Sequence, residues 1–227
     1  MGLGRCLAVL VVLGLLILGL CVRCGEPPPV DRSLLTGEPC GPPCWQGLLP
    51  GVSTEQEVYE FLKSSELVDR TTIYRGDITL GSGKVVGVTL QWWSTADMAW
   101  SPRQFGNEFD MRNGVVQEIM VFLDCEVTLA DLLERYGDPH RWRADWVAPD
   151  IPDVDVTLYY PNHGFTAWLR LPAGDRWLRP ENKVLEVRYT RMVPPEDFLE
   201  LGPEAGYFDA YEAESLRDWK GYGIVWF

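Results

Sequence analysis

Tryptophan is the residue type in this sequence best suited to binding chemistry. There are ten tryptophans among 227 residues, and Trp92 and Trp93 are adjacent in a predicted strand, where neighbouring side chains point to opposite faces. Trp100 follows in the next loop, and Trp168 alternates with the apolar residues of another predicted strand. Outward indole rings can stack on sugar rings or receive a partner protein. We therefore predict a binding face formed by Trp92, Trp93, Trp100 and Trp168, with packing between sheets as the alternative role of these rings.

The side chains that catalysis and metal binding require do not form a recognisable set. The two histidines, His140 and His163, follow a predicted helix and lie in a predicted turn, and neither belongs to a nucleophile motif. The loop that carries Asp150, Asp153 and Asp155 lacks the glycine and the terminal glutamate of a calcium-binding loop. No pair of carboxylates is singled out for glycoside hydrolysis. The sequence predicts no catalytic residue, no metal and no cofactor, and therefore a protein that is not an enzyme.

A run of 16 apolar residues and glycines near the start of the chain predicts export. The run covers residues 7–22 and is flanked by Arg5 and Arg23. As a helix it reaches about 24 Å, which is shorter than the roughly 30 Å hydrocarbon core of a bilayer. This length favours a signal peptide over a membrane span, although a thinned bilayer also accommodates a short anchor. We expect residues 1–24 to be a signal peptide or N-terminal anchor, and the protein to be extracytoplasmic.

Two cysteines in this segment, Cys21 and Cys24, are candidates for lipidation. Leu20 and Arg23 precede them, whereas a lipidated cysteine normally follows a small residue. The Pro/Gly-rich residues 25–43 that follow are typical of a mobile tether. A lipid anchor, an uncleaved helix and free secretion stay open as alternatives. The expected location is therefore the membrane, the cell surface or the surrounding medium.

The charge of the chain limits its partners. The sequence has 20 basic and 33 acidic residues, a net charge of −13. Beyond residue 25 there are 18 basic and 33 acidic residues, a net charge of −15. Such a surface repels nucleic acid and anionic lipid headgroups. We expect no nucleic-acid partner, and membrane contact through the N-terminus only.

Three further cysteines, Cys40, Cys44 and Cys125, are candidates for disulfide formation, which fits an exported protein. An odd number leaves one thiol unpaired. A Cys40–Cys44 bridge would staple a Gly-Pro-Pro turn, whereas a Cys44–Cys125 bridge would tie the start of the fold to its middle. Zinc is excluded because a tetrahedral site requires four ligands.

One pattern occurs twice in the chain. Thr54 and Glu57 form a predicted capping box, which opens a short amphipathic helix. Thr128 and Asp131 repeat this signal, and the second helix is predicted to end at the Gly-Asp-Pro sequence that begins at Gly137. Helices this short are marginal in isolation, so each must pack on another element.

After each helix the hydrophobic period changes from 3.6 to 2, which indicates strands. Asn113-Gly114 between two such runs is a strong hairpin signal. In the second copy, residues 154–160, 165–171 and 185–190 alternate between apolar and polar, with Leu185, Val187 and Tyr189 predicted to face inward. A helix across a three-stranded meander is an economical way to bury these faces.

The second copy resembles the small extracytoplasmic lipoproteins of the SmpA/BamE type and the related β-lactamase-inhibitor-like fold. The resemblance rests on the spacing of Thr128, Leu132, Tyr136, Gly137 and Pro139. These are capping and core residues, so the resemblance implies a fold and assigns no site. The relatives use such modules for binding: one holds an outer-membrane assembly machine together, and the other occludes a secreted enzyme.

The first copy keeps the register of this motif at Thr54, Val58 and Leu62, but Lys63 and Ser65 replace the glycine and proline of the family. The resembling stretches cover roughly residues 47–192. The Pro-Cys-Trp sequence just before them also resembles a group of bacterial exported proteins without an assigned activity.

We therefore predict an α+β fold of two tandem modules, each a short helix packed on an antiparallel three-stranded meander, plus a C-terminal tail. The first module is expected at 44–124, the second at 125–193 and a docking tail at 194–227. The predicted function is noncatalytic binding to a protein of the cell envelope. Binding of carbohydrate or cell wall through the outward tryptophans, and inhibition of a secreted hydrolase, are the alternatives.

Overall fold

The computed structural model describes residues 29–79, 81, 83–95, 106–148, 151–209 and 212–225. The predicted signal or anchor segment, the lipidation candidates Cys21 and Cys24, and Trp100 lie outside these residues. None of the helices in the described ranges is long and apolar enough to cross a bilayer.

The described residues form short helices and mostly longer strands. The α-helices are α1 (Ser33–Thr36), α2 (Glu55–Ser64), α3 (Leu129–Tyr136) and α4 (Phe198–Ala205), and 3-10 helices lie at Pro195–Asp197 and Glu212–Ser215. The strands are β1 (Val68–Thr79), β2 (Val85–Ser94), β3 (Asn107–Arg112), β4 (Val115–Phe122), β5 (Arg141–Ala148), β6 (Ile151–Tyr160), β7 (Phe165–Leu171), β8 (Trp177–Leu178), β9 (Val184–Tyr189) and β10 (Gly223–Ile224).

Eight of these strands form one antiparallel sheet in the order β1-β2-β3-β4-β9-β7-β6-β5. The first four strands form a meander in chain order, and the later strands form a second meander. The two meanders join edge to edge where β4 pairs with β9, for example Ile119 with Tyr189 and Val121 with Val187. The remaining strands, β8 and β10, pair with each other in a separate ribbon.

The predicted fold of two helix-on-three-strand modules is wrong. The protein is β-rich, and eight of its ten described strands belong to one continuous sheet over one main core. A separate meander would leave β4 or β9 as an unpaired apolar edge, which is exposed to aggregation. Pairing β4 with β9 removes both edges and merges the two expected cores.

Several local predictions are confirmed. Both capping boxes form, at Thr54 with Glu57 and at Thr128 with Asp131. The hairpin turn between β3 and β4 lies at Asn113-Gly114, where both residues have the positive φ that this two-residue turn requires.

Four of the described strands, the long β1 and β5 and the two-residue β8 and β10, have no clear signal in the sequence, and one side chain faces the other way from the prediction. In β1 the alternation is interrupted because a large bulge separates Asp69, opposite Trp93, from Tyr74, opposite Gln91. Strand β5 directly follows α3 and was not recognised. Leu185 was predicted to face the core, but β9 bulges there, and Leu185 lies half-buried on the opposite face.

The main core lies on one face of the sheet, which we call the inner face. Helices α2 and α3 contribute buried residues to it, including Leu62 and Leu132. The strands contribute the alternating apolar residues Leu90, Trp92, Phe109, Met111, Ile119, Val121, Val156, Leu158, Ala167, Leu169, Val187 and Tyr189. Burial of this face is the main source of stability, because apolar area removed from water is the dominant favourable term in folding.

Part of the Pro/Gly-rich segment predicted to be a tether packs on the body. Asp31 is buried and accepts hydrogen bonds from the indole Nε1 of Trp45 at 2.5 Å and from the amide of Gln46 at 3.0 Å. A disulfide joins Cys40 to Cys44, whereas Cys125 is a free thiol that donates to the Asp31 carbonyl at 3.1 Å. The contacts of Asp31 therefore hold the end of this segment on the body.

The segment from Val193 to Leu216 packs on the opposite, outer face of the sheet, whereas Trp219 and Val225 beyond it join the main core. Helix α4 and the residues around it form a second cluster with Tyr159 of β6, through Phe198, Tyr207 and Phe208. Further on, Arg217 exchanges two backbone hydrogen bonds with Trp142 at the β5 edge. This segment covers one end of the outer face and leaves a cavity beside it.

Candidate functional site

A half-open cavity of about 830 Å³ lies on the outer face of the sheet. Strands β4, β9, β7, β6 and β5 form its floor, and the segment after α4 forms a wall with Gly206, Tyr207 and Glu212. Ligand sites of small molecules commonly have volumes of roughly 300–1,000 Å³. The floor side chains are Met120, Phe122, Arg143, Asp145, Asp153, Asp155, Thr157, Tyr159, Thr166, Trp168, Arg170, Leu185, Glu186 and Arg188.

Strand register sets the order of these side chains. Across one row, Arg143 of β5 lies opposite Thr157 of β6, and Thr157 lies opposite Trp168 of β7. Trp168 in turn lies opposite Glu186 of β9. Residues directly opposite one another on neighbouring strands are close enough to interact. The strand register alone therefore places an arginine, an indole ring and a carboxylate in one row across the sheet.

Trp168 and Arg170 form the aromatic part of the cavity. The Arg170 guanidinium carbon lies 4.8 Å from the centre of the Trp168 ring, within the range of a cation–π contact. Asp155 holds this guanidinium through two hydrogen bonds, from Nε at 2.7 Å and from Nη2 at 3.2 Å. This bidentate pairing fixes the plane of the guanidinium beside the indole ring.

A second arginine links the sheet to the C-terminal wall. The Arg143 Nε lies 2.6 Å from Asp145 Oδ2, and its Nη1 forms an ion pair with Glu212. Glu212 is itself positioned because it accepts from the Asp209 amide at 2.9 Å. Arg143 therefore connects the β5 floor of the cavity to the segment that closes it.

The third arginine, Arg188, lies where the cavity meets a group of carboxylates. Its Nε donates to Glu186 at 2.5 Å, and its Nη1 lies 3.9 Å from Glu118 of β4. The pKa of Glu118 is raised to about 7, mainly by burial; Arg188 lowers the pKa, and the nearby charges of Asp110, Glu186 and Glu108 raise it. Glu118 thus titrates near neutral pH, beside the cavity and not in its lining.

The three predicted binding tryptophans that lie in the described residues do not form one face. Trp168 lines the cavity. Trp92 is 1% exposed in the core and stacks on Phe109, so the prediction that it belongs to a binding face is wrong. Trp93 is half-buried on the outer face but is not among the cavity residues, and Trp100 lies outside the described residues. Packing, the alternative role, accounts for Trp92.

The two histidines and the loop residue Asp153 make packing or hydrogen-bond contacts within the protein. His140 packs edge-on against Phe198, His163 packs against Tyr136, and burial lowers the pKa of both imidazoles. Asp153 accepts from the Ala173 amide at 2.9 Å. Within the described ranges, no group of three or more His, Cys, Asp or Glu residues is arranged to hold a metal ion.

The sequence analysis missed the arginines of the cavity, although a local signal for them exists. In a strand, residues i and i+2 share a face. Three such pairs on the outer face join an arginine to a carboxylate or an aromatic ring: Arg143 with Asp145, Trp168 with Arg170, and Glu186 with Arg188. An opposite charge or an aromatic ring two residues from an arginine in a strand indicates a polar surface that is ordered and not merely solvated.

No protein-family model, no curated protein and no solved structure matches this chain. The resemblance to the SmpA/BamE-type lipoproteins stays a prediction that rests on the helix motif alone.

Proposed function

We propose that this protein is an exported, noncatalytic binding module of the cell envelope, and that the cavity on the outer face holds its ligand. The observation that carries this proposal is a cavity of about 830 Å³ that combines an indole ring with ordered arginine and carboxylate groups. The export segment and the Cys40–Cys44 disulfide support an extracytoplasmic location.

The carboxylates of the cavity are already engaged. Asp145, Asp155, Glu186 and Glu212 each pair with an arginine, and the fifth lining carboxylate, Asp153, accepts from a backbone amide. Such pairing fixes side chains before a ligand arrives, which reduces the entropy cost of binding. A binding role uses this preorganised surface and requires no reacting group.

The test compares the wild-type full chain with a variant whose cavity is partly filled. Thr157 lies on the cavity floor between Arg143 and Trp168, so Thr157→Phe places a ring in the cavity and keeps a residue type that suits strands. Thr89→Phe makes the same substitution on the same sheet face outside the cavity, and it serves as the matched control.

The measurement is capture of envelope material from the protein's own host on the immobilised full chain, with bound protein and glycan both quantified. We expect wild type and Thr89→Phe to retain the same component, and Thr157→Phe to lose it. Equal capture by all three would contradict the proposal that the cavity is the binding site.

A further inference from the structure

The charges that line the cavity restrict its ligand. Three arginines and five acidic residues line it, a net charge of −2. Each arginine is bound by at least one carboxylate, so no arginine offers an uncompensated positive charge. Phosphate, sulfate, uronic acids and acidic peptides would meet a net repulsive field. The ligand that fits is neutral or cationic.

The arrangement of donors and acceptors distinguishes these two classes. A guanidinium group only donates hydrogen bonds and an ionised carboxylate only accepts them. The Arg170–Asp155 and Arg143–Asp145 pairs place both kinds of group side by side on the floor. A hydroxyl group donates and accepts, so neighbouring hydroxyls can satisfy both members of each pair. A cation would use the carboxylates alone, and it would have to compete for Asp145, Asp155, Glu186 and Glu212 with the arginine that already pairs with each of them.

The indole ring of Trp168 supplies the apolar part of the same surface. Its ring lies in the row between Thr157 and Glu186, and the Arg170 guanidinium lies over one face of it. The face of an indole ring is electron-rich and favours the C–H bonds on the face of a sugar ring. A pyranose on the other face of Trp168 would direct its ring hydroxyls toward the ion-paired groups of the floor.

We propose that the ligand class of the cavity is a neutral glycan, with one sugar ring stacked on the face of Trp168 that Arg170 does not cover and its hydroxyls bound by neighbouring charged groups of the floor. This inference rests on the proposed function, since it names the ligand of the same cavity. The cavity is larger than one sugar ring requires, so the ligand is a short stretch of a glycan chain.

Isothermal titration calorimetry of the full chain tests the ligand class with trisaccharides of different charge. The neutral probes are chitotriose, cellotriose and maltotriose, the anionic probe is trigalacturonic acid, and the cationic probe is the trimer of glucosamine. We expect binding of at least one neutral trisaccharide and none of trigalacturonic acid. Binding of only a charged trimer, or of no trisaccharide, would overturn the inference.

Variants of the full chain then locate the binding. Trp168→Ala should weaken the neutral trisaccharide roughly tenfold or more, and Trp168→Phe should restore part of the affinity. Trp177→Ala is the matched control, because Trp177 is 51% exposed and lies outside the cavity. An affinity that Trp168→Ala leaves unchanged would place the glycan elsewhere and overturn the inference.

The two proposals can fail separately. If Thr157→Phe abolishes envelope capture but no neutral trisaccharide binds, the cavity is a binding site and its ligand is not a neutral glycan; a captured protein would then be the partner. If envelope capture is indifferent to Thr157→Phe, the proposed function itself fails.

Discussion

The indole Nε1 of Trp45 donates a hydrogen bond of 2.5 Å to the carboxylate of Asp31, and both side chains are buried. This contact fastens the N-terminal segment to the inner face of the sheet, because Trp45 packs on Trp92 and Phe109.

Replacing Asp31 should destabilise the fold. Asp31→Ala leaves the indole N–H of Trp45 buried without its acceptor, which costs about 2–3 kcal/mol of unfolding free energy. Urea denaturation measures this loss. Asp77→Ala is the control: Asp77 forms a surface ion pair with Arg75, and such pairs contribute about 1 kcal/mol or less. Equal losses in the two variants would contradict a structural role for the Asp31–Trp45 contact.

The joined meanders should unfold together. Ile119 is fully buried in β4 and lies opposite Tyr189 of β9, so Ile119→Ala should cost about 2–5 kcal/mol. The loss should appear as one shifted transition, identical by far-ultraviolet circular dichroism and by tryptophan fluorescence. Val52→Ala, at a residue 65% exposed, should change stability by only about 0.5 kcal/mol. Two separable transitions in wild type would mean that the halves unfold independently.

Two tryptophans should respond differently to the same substitution. Trp92→Ala should cost about 3–5 kcal/mol, because it opens a cavity in the main core. Trp168→Ala should cost only about 1 kcal/mol, mainly by losing the contact with Arg170. Urea denaturation distinguishes them. A large loss for Trp168→Ala would make that ring a packing residue and weaken its assignment to a binding surface.

Glu118 should make stability depend on pH. Its pKa rises from 4.5 to about 7 in the folded protein, so between these values the folded state binds more protons than the unfolded state. The contribution of Glu118 to the free energy of unfolding therefore decreases as the pH rises from about 4.5 to 7. Glu118→Gln removes the effect and should stabilise the protein by about 1–3 kcal/mol at pH 8, with little change at pH 4.

Unfolding by urea at several pH values checks this sign. Glu134→Gln, at an exposed residue of α3, serves as the control for the removal of one surface carboxylate. A Glu118→Gln variant that is less stable than wild type at pH 8 would show that the ion pair with Arg188 outweighs the cost of burial.

The sequence predicts the elements that depend on neighbouring residues. The capping box at Thr54 and the turn at Asn113-Gly114 are confirmed because their signals lie within a few residues of each other. The pairing of Ile119 with Tyr189 has no such local signal, since either strand could equally border solvent or another partner. Sheet order was therefore the point at which the sequence analysis failed.

The cavity depends on the same long-range pairing. Trp168 was recognised as an outward ring from the alternation of its own strand. The groups that surround it, Arg143, Asp155 and Glu212, become neighbours only when β5 and β6 join β7 and the C-terminal segment closes over them. The sequence could suggest the ring but could not supply its surroundings.

The pairing of β4 with β9 also affects how the protein folds while it is being synthesised. The chain emerges from its N-terminus, so all four strands of the first meander exist well before β9. During that interval β4 has an open edge, and the unpaired backbone groups around Ile119 and Val121 are free to pair with other chains. The first half cannot protect itself from aggregation, and that protection arrives only when synthesis has passed Tyr189.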